Sequence, residues 1–442
     1  MDAFQMGAAA VAAAISRGEL SSEELVQSCL NRIDAVDGDV QAWAHLDHAH
    51  ALTQARAADK HRQAGRPLGP LHGVPVGVKD IFDTSDMPTE DGSVLRSGRT
   101  PGADAAAVAL LRESGAIILG KTVTTEFAVY GPGKTRNPHD PARTPGGSSS
   151  GSAAAVAAGM VPLSLGTQTN GSVIRPASYC GVYGLKPSHG LISRHRVLKL
   201  SDMLDHVGMF GRSLEDLALL TEQLVGYDAR DPDTHPVAKP RMVDITREAP
   251  PMPPRLAFIK GPAWDQAESD VVDGFAEMAT ELGDRMEEVE LPGNFEDAME
   301  WHRVIMESDL ALNLARDYRR GADDMSPRLR EMIERGLEEK AVQYNLAAQQ
   351  RPLLREFVAE LMLDFDAIIT PSANGEAPLG LDSTGSPAFS TLWSFCGAPA
   401  VSVPVLQGAN AMPIGVQLVG AWGDDARLLR TARWLAEAAP GE

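Results

Sequence analysis

Two serines in this chain of 442 residues have neighbours that suit nucleophilic catalysis. Ser148 ends the segment PGGS, and Ser172 ends the segment GTQTNGS, 24 positions later. Glycine lets backbone N–H groups approach a reacting oxygen closely, and a serine hydroxyl becomes a nucleophile when a base activates it. Both serines are therefore candidate catalytic residues.

A base candidate, Lys79, ends the apolar run GVPVGV. Burial disfavours the charged form of a lysine and lowers its pKa toward neutrality, so that the neutral amine can accept a proton. From the local sequence alone, Lys79 could instead extend to the surface or pair with Asp80. The two downstream serines favour the catalytic interpretation.

The segment before Ser172 predicts an oxyanion hole. A short apolar strand over 161–165 leads into a tight turn, where the N–H groups around Thr169, Asn170 and Gly171 could converge on one point. Fixed donors at the place where negative charge develops are what an oxyanion hole requires. The alternative is an ordinary turn of Gly, Asn and Ser at a helix start.

Other catalytic patterns fit less well. The segment GSSSG, centred on Ser149, matches a nucleophile elbow, but the elbow requires a preceding strand and residues 136–145 contain three prolines. No Gly-Lys-Ser/Thr follows the glycines, which argues against a phosphate loop. A Ser-His-Asp triad could in principle recruit a downstream histidine: His189, His195 or His206. Three upstream histidines share no face with carboxylates, so no metal site is predicted: His45, His48 and His50.

The elements that must position these residues alternate between strands and helices. Ser21 and Glu24 have capping-box spacing, which predicts a helix start. Strand patterns occur at 40–46, 116–119, 365–371, 400–404 and 414–419, with helical patterns at 48–64 and 104–114. Alternation of this kind predicts an α/β/α sandwich with a large mixed, mostly parallel sheet.

The chain is predicted to form one domain over residues 1–442. Residues 228–365 within it hold a surface connection and a variable helical region that forms part of the substrate pocket. In that region an apolar stripe at helical spacing favours core over pocket: Trp301, Met306, Leu310 and Leu314.

Composition excludes several classes of partner and location. The net charge of −20 and the pI near 5.0 argue against a nucleic-acid partner, which needs clustered cations. Three cysteines without paired spacing indicate neither disulfides nor a zinc site. The N-terminal Ala-rich stretch lacks a basic leader, and no apolar window approaches the roughly 20 residues that span a membrane. We expect a cytoplasmic protein without membrane contact.

Together these segments resemble the amidase signature family, and the resemblance covers residues 10–435. In that family a lysine ends GVPxxxKD, a bridging serine in a cis peptide follows PGG, and the nucleophilic serine ends GTDxGGS. The matching residues here are Lys79, Ser148 and Ser172. Flanking segments also look like those of the family: Gly120-Lys-Thr, Glu126-Phe127, Pro187, Leu204–Gly208, Gly397–Ala400 and Pro413–Gln417.

The resemblance implies hydrolysis of a carboxamide or related acyl bond through an acyl-enzyme. Ser172 would attack the carbonyl, and Ser148 would relay the proton to neutral Lys79. The oxyanion hole would be made by N–H groups of four consecutive residues: Thr169, Asn170, Gly171 and Ser172. No metal or cofactor is needed; the expected partner is a small-molecule amide or acyl substrate, and a homodimer is left open.

Three residues depart from the family pattern. Gln168 stands where Asp is usual, Asn170 where Gly is usual, and Arg175 lies three places after the serine instead of two. Gln168 and the displaced arginine are similar to a malonamidase-like subgroup, in which that arginine is implicated in holding a substrate carboxylate. Arg175 and Gln168 are therefore candidate substrate-binding residues, although an arginine paired with a structural carboxylate would look identical.

Two other interpretations keep the same chemistry in another context. One is a glutaminase-type subunit of a tRNA-dependent amidotransferase, which works with partner chains. The other is a carbamate or ester hydrolase on the same fold.

Overall fold

One sheet of 11 strands runs through the chain in a computed structural model that describes residues 2–438, apart from the side chain of Asn294. The strand order is β1-β3-β2-β4-β6-β5-β10-β11-β9-β7-β8. In chain order the strands are β1 Trp43–Leu46, β2 Pro75–Lys79, β3 Ile117–Thr122, β4 Leu163–Gln168, β5 Tyr183–Lys186, β6 His206–Gly211, β7 Leu256–Phe258, β8 Met286–Glu288, β9 Ala367–Pro371, β10 Ala400–Gln407 and β11 Pro413–Val419.

The sheet is mixed, as predicted, but parallel pairing is not its majority. Four neighbouring pairs are parallel: β2 with β3, β2 with β4, β7 with β8 and β7 with β9. The other six pairs are antiparallel. The prediction of a mostly parallel sheet is therefore wrong. Helical crossovers account for β2, β3 and β4, whereas β10 and β11 are joined by a short turn over 408–412 that reverses the chain.

Helices cover both faces of the sheet. Ile117 and Ile118 are neighbours on β3 but belong to different apolar clusters, because successive side chains of a strand point to opposite faces. The helices are α1 Ala8–Arg17, α2 Ser22–Val40, α3 His48–Gln63, α4 Ala106–Glu113, α5 Ser150–Ala157, α6 Ile174–Cys180, α7 Leu214–Leu224, α8 Met242–Arg247, α9 Ser269–Leu282, α10 Ala298–Asn313, α11 Ala315–Gly321, α12 Pro327–Glu338, α13 Ala341–Leu361, α14 Ala388–Cys396 and α15 Asp425–Ala438.

The start of α2 shows the predicted capping box. The Glu24 N–H donates to Ser21 Oγ at 3.1 Å, and the Ser21 N–H donates to a Glu24 carboxylate oxygen at 2.8 Å. Two otherwise unpaired N–H groups are thereby satisfied. Within residues 2–438, no helix combines the length and apolar character that crossing a bilayer requires.

The central strands bring the candidate residues to one edge. β2 and β4 are parallel neighbours, with Val78 opposite Leu165. Their carboxyl ends therefore meet on the same side, where β2 ends at Lys79 and β4 leads into the turn before α6.

The region over 228–365 contributes both to the sheet and to a helical layer. β7 and β8 extend the sheet at one end, and α10 contacts α12, α13 and α14. Met306, Leu310 and Leu314 are buried and Trp301 packs against the same cluster, so the apolar stripe belongs to the core, as predicted. Met306 also lines a cavity that is described below.

Candidate active site

Lys79 is enclosed at the end of β2. Its side chain is 0% exposed, and Nζ lies 2.7 Å from Ser148 Oγ and 2.8 Å from Thr167 Oγ1. Burial holds the pKa of Lys79 well below the usual lysine value, while the negative charge of Asp205 acts in the opposite direction. The alternatives of a surface lysine or a pair with Asp80 do not apply, because the Asp80 carboxylate lies 3.2 Å from Lys121 Nζ instead.

Ser148 lies at the entry to α5 and is buried. The Gly147–Ser148 peptide bond is cis, which the resemblance implied. A Cβ atom at position 147 would lie 2.8 Å from Thr384 Cγ2 and 3.0 Å from Thr125 Cγ2, so this position needs glycine. The carbonyl of Gly147 accepts a hydrogen bond from the Arg175 guanidinium at 2.6 Å.

The turn between β4 and α6 leaves backbone donors free beside Ser172. Ser172 is half-buried. Among residues 2–438, the N–H groups of Asn170, Gly171 and Ser172 have no hydrogen-bond acceptor, whereas those of Val173 and the next residue donate to Gln168 Oε1. Unpaired donors on a fixed turn can stabilise an oxyanion.

Side chains from distant elements hold Asn170 in place. Its Nδ2 donates to the Tyr130 hydroxyl at 3.0 Å, and its Oδ1 accepts from Thr391 Oγ1 at 2.7 Å. Its backbone carbonyl accepts from Ser394 Oγ. Both amide atoms and the carbonyl of Asn170 are therefore occupied, which fixes the orientation of the turn.

Thr169 is held in a similar way. Its carbonyl accepts from His302 Nε2 at 3.0 Å, and its hydroxyl donates to Asp205 at 2.6 Å. Burial lowers the pKa of His302 to about 4, so the imidazole is neutral near pH 7. Sequence reasoning missed His302 and Tyr130, since neither lies in a motif. Asp205 lies in one of the flanking segments that the resemblance covers.

Gln168 uses its whole amide group within the protein. Oε1 accepts from the N–H groups of Val173 and Ile174 at 2.8 and 3.0 Å, and Nε2 donates to Ser394 Oγ at 2.9 Å. The side chain is fully buried. This arrangement favours a structural role at the start of α6, and the predicted substrate contact of Gln168 stays a prediction.

Arg175 points away from solvent and is 1% exposed. In addition to Gly147, its guanidinium donates to the Gly385 carbonyl at 3.1 Å and to Thr384 Oγ1 at 3.2 Å. Its Nε has no hydrogen-bond partner in the described part of the chain. No carboxylate oxygen of residues 2–438 lies within 4.0 Å of it. The structural alternative predicted that Arg175 pairs with a carboxylate. In the structure it instead donates hydrogen bonds to backbone carbonyls and a hydroxyl. Substrate contact by Arg175 stays a prediction.

The competing motifs lack the required geometry. Ser149 is fully buried, and its hydroxyl bonds to the backbone N–H and carbonyl of Thr167 at 3.2 Å. No strand directly precedes it in the described chain, so the elbow interpretation is excluded. His189 and His206 bond to backbone carbonyls, and His48 and His50 lie near separate aspartates.

Two adjoining cavities open beside the turn. One, of about 300 Å³, is lined by residues of the turn, α10, α12 and α14, among them Asn170, His302, Arg303, Met306, Glu307, Arg328 and Arg335. The other, of about 580 Å³, includes the segments 130–132, 326–328 and 382–387. Both cavities are lined by Tyr130, Arg328, Ser386 and Pro387.

Comparison with known proteins places this geometry in context. Residues 24–429 match the family model described as Amidase. The chain is 33% identical to a subunit of the glutamyl-tRNA(Gln) amidotransferase of Chloroflexus aurantiacus, in an alignment that covers 95% of this chain and 94% of that protein.

Solved structures with the same fold span almost the whole chain. One belongs to a vestigial protein complex that reveals the evolutionary origins of an s-triazine catabolic enzyme, with a TM-score of 0.92, 31% identity and 99% coverage of both chains. Native peptide amidase from Stenotrophomonas maltophilia has a TM-score of 0.83 and 26% identity, covering 98% of this chain and 97% of that one.

Proposed function

This chain belongs to the amidase family, and on that premise we propose that it cleaves a carboxamide through Ser172, Ser148 and Lys79. Family membership makes the chain a hydrolase of carbon–nitrogen bonds. The observation that carries the assignment of residues is the distance of 2.7 Å between Lys79 Nζ and Ser148 Oγ in a fully buried site. A buried amine beside a hydroxyl is poised to act as a base.

The contact between Lys79 and Ser148 supports a proton relay in the proposed reaction. Ser172 Oγ attacks the carbonyl carbon while its proton passes to Ser148 Oγ, and the proton of Ser148 passes to Lys79 Nζ. The carbonyl oxygen becomes an oxyanion at the N–H groups of the turn from Thr169 to Ser172. The C–N bond then breaks, and the relay returns the proton to the leaving amine. Water hydrolyses the resulting acyl-enzyme by the same relay.

Arg175 has a positioning role in this proposal. Its guanidinium holds the carbonyl of Gly147, the residue joined to Ser148. A hydrogen bond from a charged donor is stronger than one between neutral groups, so Arg175 restrains the backbone that places the bridging serine.

The substrate is a small-molecule amide or a related acyl compound, and the chain acts in the cytoplasm as one domain. The net charge of −20 supports a protein that binds neither nucleic acid nor an anionic membrane surface. The likeness to part of an amidotransferase favours one alternative, a chain that works only with partner proteins. A carbamate or ester substrate would use the same three residues.

The test combines labelling with an assay of the isolated chain. The protein is purified by size exclusion, treated with a phosphonyl fluoride and analysed by intact-protein and peptide mass spectrometry. We expect one adduct on Ser172, ammonia release from simple amides, and no activity in Ser172→Ala. Ser149→Ala is the matched control and keeps full labelling.

Labelling on another serine, or full activity of Ser172→Ala, would overturn the assignment of the nucleophile. An adduct on Ser172 without any amide turnover until another chain is added would favour the amidotransferase alternative. The elution volume of the same sample tests for a homodimer.

A further inference from the structure

We propose that Arg328 and Tyr130 form an anion site that selects substrates with a carboxylate or a similar negative group beyond the scissile amide. The inference rests on the proposed function, because it takes the neighbouring turn as the place of bond cleavage.

Arg328 lies in the first turn of α12 and faces both cavities beside the turn. Its guanidinium carbon lies 4.6 Å from the centroid of the Tyr130 ring. The hydroxyl of that ring accepts the hydrogen bond from Asn170 Nδ2 at 3.0 Å. One aromatic ring therefore connects the cation to the proposed oxyanion hole. Asn170 and Arg328 line the same cavity of about 300 Å³, so a small molecule bound there can contact both.

Arg328 differs from the other arginines of this cavity because it forms no salt bridge with any carboxylate of residues 2–438. Arg303 and Arg335 both pair with Glu307, at 2.7 and 2.5 Å. Among residues 2–438, no carboxylate oxygen lies within 4.0 Å of the exposed Arg328 guanidinium, although Asp382 lines the adjoining cavity. The stacked ring leaves the N–H donors at the guanidinium edge free for a planar carboxylate.

The first turn of α12 is an unfavourable place for the charge of Arg328. The first turn of a helix carries a partial positive charge, which disfavours a cation there. The nearby Glu126 carboxylate accepts the N–H of Ser326, the residue before α12, at 3.1 and 3.2 Å. The helix dipole therefore does not favour Arg328 at this position, and its contact with the Tyr130 ring holds its charge beside the cavity, where an anion can bind.

A second cation lies behind the cavity wall. Thr384 and Gly385 line the cavity of about 580 Å³ together with Arg328, and both accept hydrogen bonds from Arg175. Burial first, and the positive charge of Arg328 in addition, lower the pKa of Arg175. Arg328 faces this cavity and Arg175 lies behind its wall, and neither has a carboxylate oxygen within 4.0 Å among residues 2–438, in a chain of net charge −20. An anion bound there would offset their repulsion.

The test compares two amides of equal size that differ in charge, glutaramate and 5-oxohexanamide. For Arg328→Met we expect kcat/KM for glutaramate to fall by about tenfold to a hundredfold, the range of one charged hydrogen-bonded pair. The kcat/KM for the neutral amide 5-oxohexanamide should stay unchanged in Arg328→Met. Arg328→Lys should recover part of the loss in kcat/KM for glutaramate. Arg330→Met is the matched control, since Arg330 lies on the same helix near Asp323 and lines neither cavity.

A binding experiment keeps the result independent of turnover. Isothermal titration of glutarate into Ser172→Ala and into the double variant Ser172→Ala/Arg328→Met should show weaker binding in the double variant by the same factor. Equal binding, or a parallel loss for both amides in Arg328→Met, would overturn the anion site. Suppose that hydrolysis of 5-oxohexanamide requires Ser172 but that glutarate binds equally well with and without Arg328. The anion site is then wrong, while the proposed function stands. If Ser172→Ala remains active, the proposed function fails and the titration still decides the anion site.

Discussion

Replacing Lys79 by methionine separates the chemistry of the base from the stability of the fold. The amine lies within 2.8 Å of two hydroxyl groups and is shielded from solvent, so the neutral form is favoured in the folded protein. Lys79→Met removes the base while keeping a side chain of similar length. We expect kcat/KM to fall by at least about 10²-fold to 10⁴-fold, the contribution of a general base.

The pH dependence of the free energy of unfolding measures how strongly folding lowers the pKa of Lys79. In the unfolded chain a lysine has a pKa of about 10.4, whereas in the folded protein the pKa of Lys79 is well below its usual value. Between these two values unfolding takes up one proton, so stability rises with pH by about 1.4 kcal/mol per unit. The contribution of Lys79 to the free energy of unfolding is therefore most favourable above the pKa of the unfolded chain, and it decreases as the pH falls to the folded pKa of Lys79. Lys79→Met lacks this dependence.

Two measurements should therefore give the same pKa. Equilibrium urea unfolding of wild type and Lys79→Met, at several pH values, gives the difference between their free energies of unfolding. Lys121 and Lys186 also have depressed pKa values, but both proteins contain them, so their contributions cancel in the difference between the two free energies of unfolding. The difference should become flat below the folded pKa of Lys79, and kcat/KM of wild type should reach its plateau above the same value.

A stability difference that does not change with pH would refute the depressed pKa of Lys79, and with it the role of Lys79 as a neutral base. A value of kcat/KM that does not change with pH would refute the same role. So would a Lys79→Arg variant with nearly the wild-type rate, because arginine stays charged throughout this range.

Three further substitutions test the neighbours of the base and the turn. Thr167→Val removes the second hydroxyl beside Lys79 and should lower kcat up to about tenfold in steady-state assays, the value of one hydrogen bond, without changing KM. Arg175→Met should lower kcat/KM for charged and neutral amides in parallel, because it releases the Gly147 carbonyl; a loss confined to carboxylate substrates would support direct substrate contact instead. Gln168→Ala leaves two N–H groups at the start of α6 without their acceptor and should destabilise the protein by about 2 kcal/mol or more in urea unfolding; an unchanged midpoint would contradict the capping role.

Local patterns in the sequence were enough to identify the candidate reactive residues and the ends of the central strands. The apolar run before Lys79 and the glycines before Ser148 and Ser172 are local patterns, and the strands that lead to Lys79 and to the turn before Ser172 appear within a few residues of the predicted positions. The capping box at Ser21 is equally local, since both its partners lie within one helical turn. Periodicity and glycine content report on such short-range geometry without any knowledge of the rest of the chain.

The surroundings of those residues depend on contacts between distant parts of the chain. His302 reaches Thr169 from 133 positions away, and Arg175 reaches Gly385 from 210 positions away. Nothing near Arg175 in the sequence indicates that its guanidinium holds backbone carbonyls instead of a carboxylate. Sheet direction was decided in the same way, because local patterns show that a segment is a strand but not which strand becomes its neighbour. The charge balance around Arg328 likewise depends on which carboxylates the fold brings within reach, and folding brings none within 4.0 Å among residues 2–438.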